Sequence, residues 1–99
     1  MKIFISFPMY GMSNRELRKV YNQYKRELSA DYPEAEFIDS IIDLGKEATA
    51  LDYIAESIRM IKQADIVFFG RHWEATRGCR VEHMVAEEYG KAIREEIVD

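Results

Sequence analysis

The residue best suited to carry out chemistry in this sequence is Glu82, which follows Gly78 near the predicted start of a helix. Free N–H groups and the helix macrodipole stabilise negative charge at such a place, so an ionised carboxylate is favoured. A carboxylate of this kind can attack or electrostatically stabilise an electron-poor sugar carbon, as in retaining glycosyl transfer. The simpler alternative is a first-turn glutamate that only stabilises its helix, and position alone favours that alternative.

The residues around Gly78 offer donors for an anion. Gly78 supplies a backbone N–H group and Thr76 a hydroxyl, where a phosphate could lie against the end of the helix. Arg77 and Arg80 would add positive charge. The other interpretation is a glycine turn with solvated arginines, and the pattern alone favours it.

Trp73 and Ser57 are candidate ligand contacts outside this group. Trp73 lies in a polar loop, where a large apolar ring either caps the core or stacks on a flat ligand, and it could help to wall a cleft beside Glu82. Ser57 lies on a predicted helix and could face the same cleft. No base is paired with this serine in the sequence, so a nucleophilic serine is not expected.

The first loop holds a second set of candidate contacts. It follows a predicted strand and precedes a helix, which is the usual position for ligand contacts in open α/β sheets. The candidates there are Ser6, Met9, Tyr10 and Gly11. Gly11 can also be a simple turn residue, because a lone glycine is a weak phosphate-loop signal and neither a dinucleotide fingerprint nor a Walker motif is present.

No metal site and no cofactor are expected. His72 and His83 do not have metal-site spacing with Cys79, the single cysteine. His83 should point away from its neighbour Glu82, because adjacent helical residues diverge by roughly 100°. One cysteine also excludes an intramolecular disulfide and fits a reducing compartment.

Strands that could position these residues are predicted from runs of β-branched and aromatic side chains. They cover residues 2–7, 35–38 and 66–69, with a short last strand over 92–93 and 97–98. The strand over 66–69 is apolar throughout, which is typical of an interior parallel strand. Residues 39–46 can extend the second strand or form a turn.

Three helices are predicted from helical spacing of apolar residues. The first begins at Asn14 after a capping box formed by Ser13 and Glu16, and it stops near residues 31–33. The second begins around Thr49, and the third runs from Gly78 until Gly90 ends it. Strands and helices therefore alternate along the chain.

This alternation predicts an α/β, flavodoxin-like open parallel sheet of four strands in the order 2-1-3-4, flanked by three helices. The first helix should cover one face of the sheet and the other two helices the opposite face. The face over strands 3 and 4 would then be partly bare, so we expect a homodimer or a larger assembly. No linker or repeat is evident, and residues 1–99 are expected to form a single domain.

Composition limits the classes of partner. The formal net charge is −4, which argues against binding of long DNA or RNA, although a single nucleotide needs only a few local donors. The only N-terminal apolar run covers residues 3–7, which is too short for a signal peptide, and no stretch approaches the length of a membrane span. A cytoplasmic protein with a small-molecule ligand is expected.

The opening segment KIFISFPMYGMS, the block ADIVFFGRHWEATRGCRVEH and the order of elements resemble the nucleoside 2-deoxyribosyltransferase-like superfamily. The nearest branch is a set of small bacterial and phage proteins, for which the pattern W-x-x-x-R-G-C-R-x-E-H is specific. The similarity covers nearly the whole chain except residues 40–50 and the tail. It implies a flavodoxin-like fold, oligomeric assembly and cleavage of the bond between base and deoxyribose.

The resemblance also implies residue roles. Glu82 matches the glutamate nucleophile of these enzymes, and Thr76 preserves a hydroxyl where the phosphate-specific N-hydrolases contact a 5′-phosphate. Those enzymes have an aspartate that assists the nucleobase or leaving group where this sequence has Ser57. A serine cannot serve as a carboxylate acid or base near pH 7.

Two functions of different classes follow. The first is an enzyme that cleaves or transfers the N-glycosidic bond of a nucleoside or nucleotide, with Glu82 attacking C1′ while Tyr10 and Trp73 frame the sugar and base. The second is a protein that binds a nucleotide or a nucleotide-derived signal without cleaving it, which Ser57 favours. A structural or protein-interaction module is a third alternative.

Overall fold

The computed structural model describes residues 1–97 and shows strands and helices in strict alternation. The strands are β1 (Lys2–Ser6), β2 (Glu36–Ile38), β3 (Ile66–Phe69) and β4 (Ala92–Glu95). The helices are α1 (Asn14–Asp31), α2 (Ala50–Gln63) and α3 (Arg77–Glu88), and a single 3-10 turn precedes α3 (Trp73–Ala75). The four strands form one parallel sheet in the order β2-β1-β3-β4, as predicted.

The helix starts are set by local hydrogen bonds. Ser13 and Glu16 form the predicted capping box of α1, in which the serine hydroxyl accepts from the Glu16 N–H and the glutamate accepts from the Ser13 N–H. Thr49 and Asp52 form a second capping box on α2. By contrast, the side chain of Thr76 makes no capping hydrogen bond to α3. The first turn of α3 therefore keeps N–H groups that no side chain has satisfied.

The core has one layer on each face of the sheet. On one face α1 contributes Tyr21 and Leu28 to a cluster with alternate residues of β1 and β3. On the other face Phe4, Val67 and Phe69 pack against α2 and α3. This arrangement confirms the predicted placement of the helices. It also puts the carboxyl ends of β1 and β3 and the N-terminus of α3 at the same edge of the molecule.

The last strand differs from its prediction because it ends at Glu95, and Ile97 is exposed rather than paired. Val98, the other residue predicted in this segment, lies outside the described residues. Arg94 is paired with Phe68 and so lies on the α1 face of the sheet, where its Nε donates to the Tyr32 hydroxyl at 3.1 Å.

On this face Ile66 and Phe68 of β3 are buried, whereas Ala92 and Arg94 of β4 are exposed. A partly bare face over strands 3 and 4 was the reason to expect a homodimer or larger assembly. The assembly itself stays a prediction.

A polar contact closes the end of the sheet next to β3 and β4. The carboxylate of Glu96 accepts from the Tyr24 hydroxyl at 2.9 Å and from the backbone N–H of Arg71 at 2.6 Å. Gly70 is required beside it, because a Cβ at this position would stand 2.7 Å from the Tyr24 hydroxyl oxygen. Burial, the largest cause, raises the pKa of Tyr24 to about 12, so the hydroxyl keeps its proton as the donor.

Within residues 1–97, none of the helices has the length and apolar character needed to cross a membrane.

Candidate functional site

A cavity of about 570 Å³ opens at the carboxyl edge of the sheet. It is bounded by the end of β1, the loop after β2, the inner face of α2 and the first turns of α3. Most of its wall is apolar, with side chains such as Phe7, Met9, Leu17, Ile41, Ile42 and Ile54. This volume and the mostly apolar wall are typical of small-molecule sites.

Glu82 is the central polar group of this cavity. Its side chain is only 8% exposed, and its Oε1 accepts a hydrogen bond from the Ser6 hydroxyl at 2.6 Å. Burial raises the pKa of Glu82, and the hydroxyl groups of Ser6 and Ser57 lower it again in part. The two serines therefore stabilise the ionised form of the carboxylate, whereas burial in the apolar wall destabilises that form.

One part of the sequence argument for Glu82 is wrong. Because α3 begins at Arg77, Glu82 lies in the second turn of the helix rather than the first. The effect of the macrodipole falls off within the first turn, and burial is the largest influence on the pKa of the carboxyl group. The carboxylate is thus held by hydroxyl donors in an apolar wall and not by the helix end. A role limited to stabilising the helix does not fit this burial.

Cys79 lies about one turn before Glu82 and contributes to the same wall. The thiol is buried, and burial, with a smaller effect of the nearby Glu82 carboxylate, raises its pKa to about 11. The thiol therefore keeps its proton at neutral pH and is a poor nucleophile.

The start of α3 brings Thr76, Arg77 and Gly78 into the cavity wall. Gly78 lies inside the helix rather than in a turn, and a Cβ there would meet only Ile54 Cδ1, at 3.6 Å. The protein itself therefore does not require a glycine at this position. With glycine here, no Cβ stands between the uncapped first turn and Ile54 on the facing helix.

Arg80 does not join this group. Its guanidinium donates to the carbonyl oxygen of Glu74 at 2.8 Å, and the residue does not line the cavity. Arg80 lies two residues before Glu82, which faces the cavity, and a separation of two residues turns a side chain by roughly 200° around a helix. The predicted contribution of Arg80 to the site is thus not supported.

Trp73 lies outside the cavity, contrary to its predicted position beside Glu82. The chain reverses at His72, which has a positive φ of 65°, and the following 3-10 turn places the indole on the α2 and α3 side of the sheet. There the ring stacks on His83 with centroids 3.9 Å apart and packs on Phe69 at 5.5 Å. Trp73 therefore caps the core, and His83 points away from Glu82 as predicted.

The first loop is only partly at the cavity. Met9 and Tyr10 line it, and Tyr10 stands at its mouth with 98% of its surface exposed. Gly11 does not line the cavity and has a positive φ of 78°, so it is a turn residue. Ser57 on α2 does line the cavity, opposite the end of β1.

Sequence reasoning missed the loop after β2. Ser40, Ile41 and Ile42 all line the cavity, and Tyr53 of α2 does so as well. Ser40 is 7% exposed, and its hydroxyl has no hydrogen-bond partner among the described residues. These residues could have been found from their position in the sequence. The loop follows the carboxyl end of a strand that pairs with β1, and ligands bind at such ends in open α/β sheets.

The described residues, 1–97, contain no group of three or more His, Cys, Asp or Glu side chains arranged to hold a metal ion. Among the described residues that line the cavity, Glu82 supplies one carboxylate and Cys79 one thiol.

Comparisons with known proteins agree with this fold. A solved 2-desoxiribosyltransferase from Leishmania mexicana superposes with a TM-score of 0.70 and 19% sequence identity over 99% of this chain. The chain spans 65% of the length of that protein. The chain therefore shares the fold of that enzyme, as the resemblance implied.

The chain belongs to the family described as a domain of unknown function, DUF4406, whose model matches residues 1–95. A comparison with curated proteins finds no match.

Proposed function

We propose that this protein cleaves or transfers the N-glycosidic bond of a nucleoside or nucleotide, with Glu82 as the nucleophile that attacks C1′. The observation that carries the proposal is a single buried carboxylate, held by the Ser6 hydroxyl at 2.6 Å, in the wall of a mostly apolar cavity of about 570 Å³. A carboxylate in this setting can form a glycosyl ester and release it to water or to a second base. The fold shared with the Leishmania mexicana enzyme supports the same chemistry.

The cavity wall offers two kinds of environment to a ligand. Apolar side chains and the rings of Tyr10 and Tyr53 suit a sugar and a flat base. Thr76, Arg77 and the N–H groups of the uncapped first turn of α3 suit a phosphate. A nucleoside monophosphate matches both environments.

A second candidate function is binding of a nucleotide or a nucleotide-derived signal without cleavage. It is favoured by the presence of only one carboxylate among the described residues that line the cavity, since glycoside hydrolysis generally uses two.

One assay separates the two functions. Purified protein is incubated with nucleoside 5′-monophosphates, both with unmodified bases and with bases methylated to carry a positive charge, and thermal shift and release of free base are measured together. Base release from at least one compound is the expected result. A thermal shift with every nucleotide left intact would support the binding protein instead, and no shift with any compound would contradict both.

We expect Ser6→Ala to move the acid side of the rate profile to higher pH. The lost hydroxyl lowers the pKa of Glu82 in the native protein, so its removal raises that pKa and a higher pH is needed to ionise the nucleophile. At any one pH on the acid side of the profile, base release should fall roughly tenfold or more, because a hydrogen bond to a charged group contributes about 1.5–3 kcal/mol. The measurement is kcat/KM against pH.

Ser40→Ala is the matched control for this prediction. It removes another serine hydroxyl from the same cavity, and this hydroxyl has no partner among the described residues. The acid side of the Ser40→Ala profile should stay where the wild-type profile has it. An equal displacement in both variants would mean that Ser6 does not act through Glu82.

A further inference from the structure

We propose that the nucleotides on which this protein acts carry a base that is already positively charged, so that the base departs as a neutral heterocycle without receiving a proton. The inference rests on the proposed function and names its substrate class. Bases methylated at a purine ring nitrogen and pyridinium bases belong to this class.

The first support is the set of groups that face the cavity. Glu82 is the only carboxylic acid among the described residues that line it. A neutral base generally needs a second acid to protonate it as it leaves, while the first carboxylate attacks the sugar. The other polar side chains near Glu82 belong to Ser6 and Ser57, and a hydroxyl of serine is not an acid at neutral pH.

The remaining proton carriers of the cavity do not replace that acid. The Cys79 thiol has a pKa of about 11 and is itself buried beside Glu82. The Tyr53 hydroxyl accepts a hydrogen bond from the Leu44 N–H at 3.2 Å, and Tyr10 stands at the mouth with 98% of its surface exposed.

A cationic base removes the need for a proton. One carboxylate oxygen of Glu82 attacks C1′ with its electron pair while the C1′–N bond breaks, and that bonding pair neutralises the positive charge of the base. Water then attacks C1′ of the glycosyl ester, the ester bond returns its electron pair to Glu82, and the proton of the water passes to solvent. The sum is cationic nucleotide plus water giving neutral base, sugar phosphate and one proton.

The electrostatics of the cavity favour the same class of substrate. Glu82 is 8% exposed and its Oε1 is bonded to a hydroxyl donor, whereas no cationic side chain is paired with it among the residues described. A neutral base that closes the cavity would leave this carboxylate as an uncompensated buried charge. A cationic base supplies the opposite charge, and the rings of Tyr10 and Tyr53 add cation–π attraction.

Matched nucleotide pairs test the inference. The probes are guanosine and 2′-deoxyguanosine 5′-monophosphate, each with and without a methyl group at N7, together with β-nicotinamide mononucleotide. Each is incubated with wild-type protein, with Glu82→Gln and with buffer alone, since methylated purines also lose their base spontaneously. For the pair that is cleaved, kcat/KM of the cationic member should exceed that of the neutral member by about 100-fold or more, since general acid catalysis typically contributes about 10²–10⁴-fold.

Ser57→Asp provides a gain-of-function arm, because it places a second carboxyl group in the cavity wall next to Glu82. Like charges raise the pKa of one of the two, and the protonated group can then donate to a neutral base. We expect cleavage of the neutral member to rise roughly tenfold or more, which reduces the preference, with Ser57→Asn as the control that adds no acid.

The outcomes are distinct. Similar rates for both members of a pair in the wild type would overturn the inference and leave the proposed function standing. Release from no probe at all would overturn the proposed function itself. A strong preference in the wild type supports the inference even if the Ser57→Asp variant fails to fold.

Discussion

We expect Glu82→Gln to lower the rate of base release by roughly 10³-fold or more, since without the nucleophile only substrate binding and positioning contribute to catalysis. The amide keeps the size of the side chain, and its oxygen can still accept from the Ser6 hydroxyl, which donates to Oε1 in the native protein. An amide is not able to form the glycosyl ester. The measurement is single-turnover release of free base, with nucleotide binding followed by thermal shift.

The same substitution should make the protein more stable at neutral pH. Burial raises the pKa of Glu82 above its ordinary value of 4.5, so the native state binds the proton more tightly than the unfolded state. Stability therefore falls as pH rises from the unfolded pKa through the folded pKa, and the full penalty remains at higher pH. Glutamine has no such penalty, so Tm of Glu82→Gln should exceed that of the wild type at pH 7 and match it near pH 4.

Glu87→Gln is a suitable control for both measurements. It removes a carboxylate from the same helix at an exposed position, so activity and the pH dependence of Tm should stay close to those of the wild type. Base release that survives in Glu82→Gln would remove this residue from the mechanism. The loss of stability or of folding in that variant would contradict the assignment of a raised pKa.

Phe69→Ala should lower the free energy of unfolding by about 3–5 kcal/mol, the usual range for a buried phenylalanine. Phe69 is fully buried in the interior strand β3, between the Cα partners Ser6 on one side and Glu95 on the other. Its ring packs on Trp73 at 5.5 Å and on His83 at 4.7 Å. Because small domains are stable by only about 5–15 kcal/mol, a large share of the stability would be lost.

Phe69→Leu is the conservative comparison, since it keeps most of the volume and should cost less than about 1.5 kcal/mol. Urea denaturation followed by circular dichroism gives both values, and tryptophan fluorescence reports directly on the stacked indole of Trp73. A loss below about 1 kcal/mol in Phe69→Ala would show that the cluster of Phe69, Trp73 and His83 is not a packed part of the core.

Local patterns in the sequence were sufficient to predict the order of strands and helices along the chain. The capping box of Ser13 and Glu16 marked the start of α1, and the apolar run of residues 66–69 marked an interior strand, because both depend on neighbouring residues. The last strand was predicted to begin at Ala92, as it does, but to continue over residues 97–98, beyond its end at Glu95. Arg94 in this strand and Glu96 directly after it form hydrogen bonds with Tyr32 and Tyr24, which are distant in sequence, so no local pattern predicted these contacts.

The sequence by itself determined the parallel sheet and its order, because periodicity and the handedness of crossovers restrict topology strongly. It offered Glu82 only as a candidate, since position alone favoured a glutamate that stabilises its helix. Only the tertiary structure decided which side chains share the cavity with Glu82. The chain reverses at His72, so Trp73 packs on the core, and the loop after β2 places Ser40 in the cavity wall. Both positions depend on contacts between residues that are distant in sequence, which spacing along the chain does not predict. The pKa of the carboxyl group was likewise decided by burial, which is a property of the folded surroundings and not of its position in the helix.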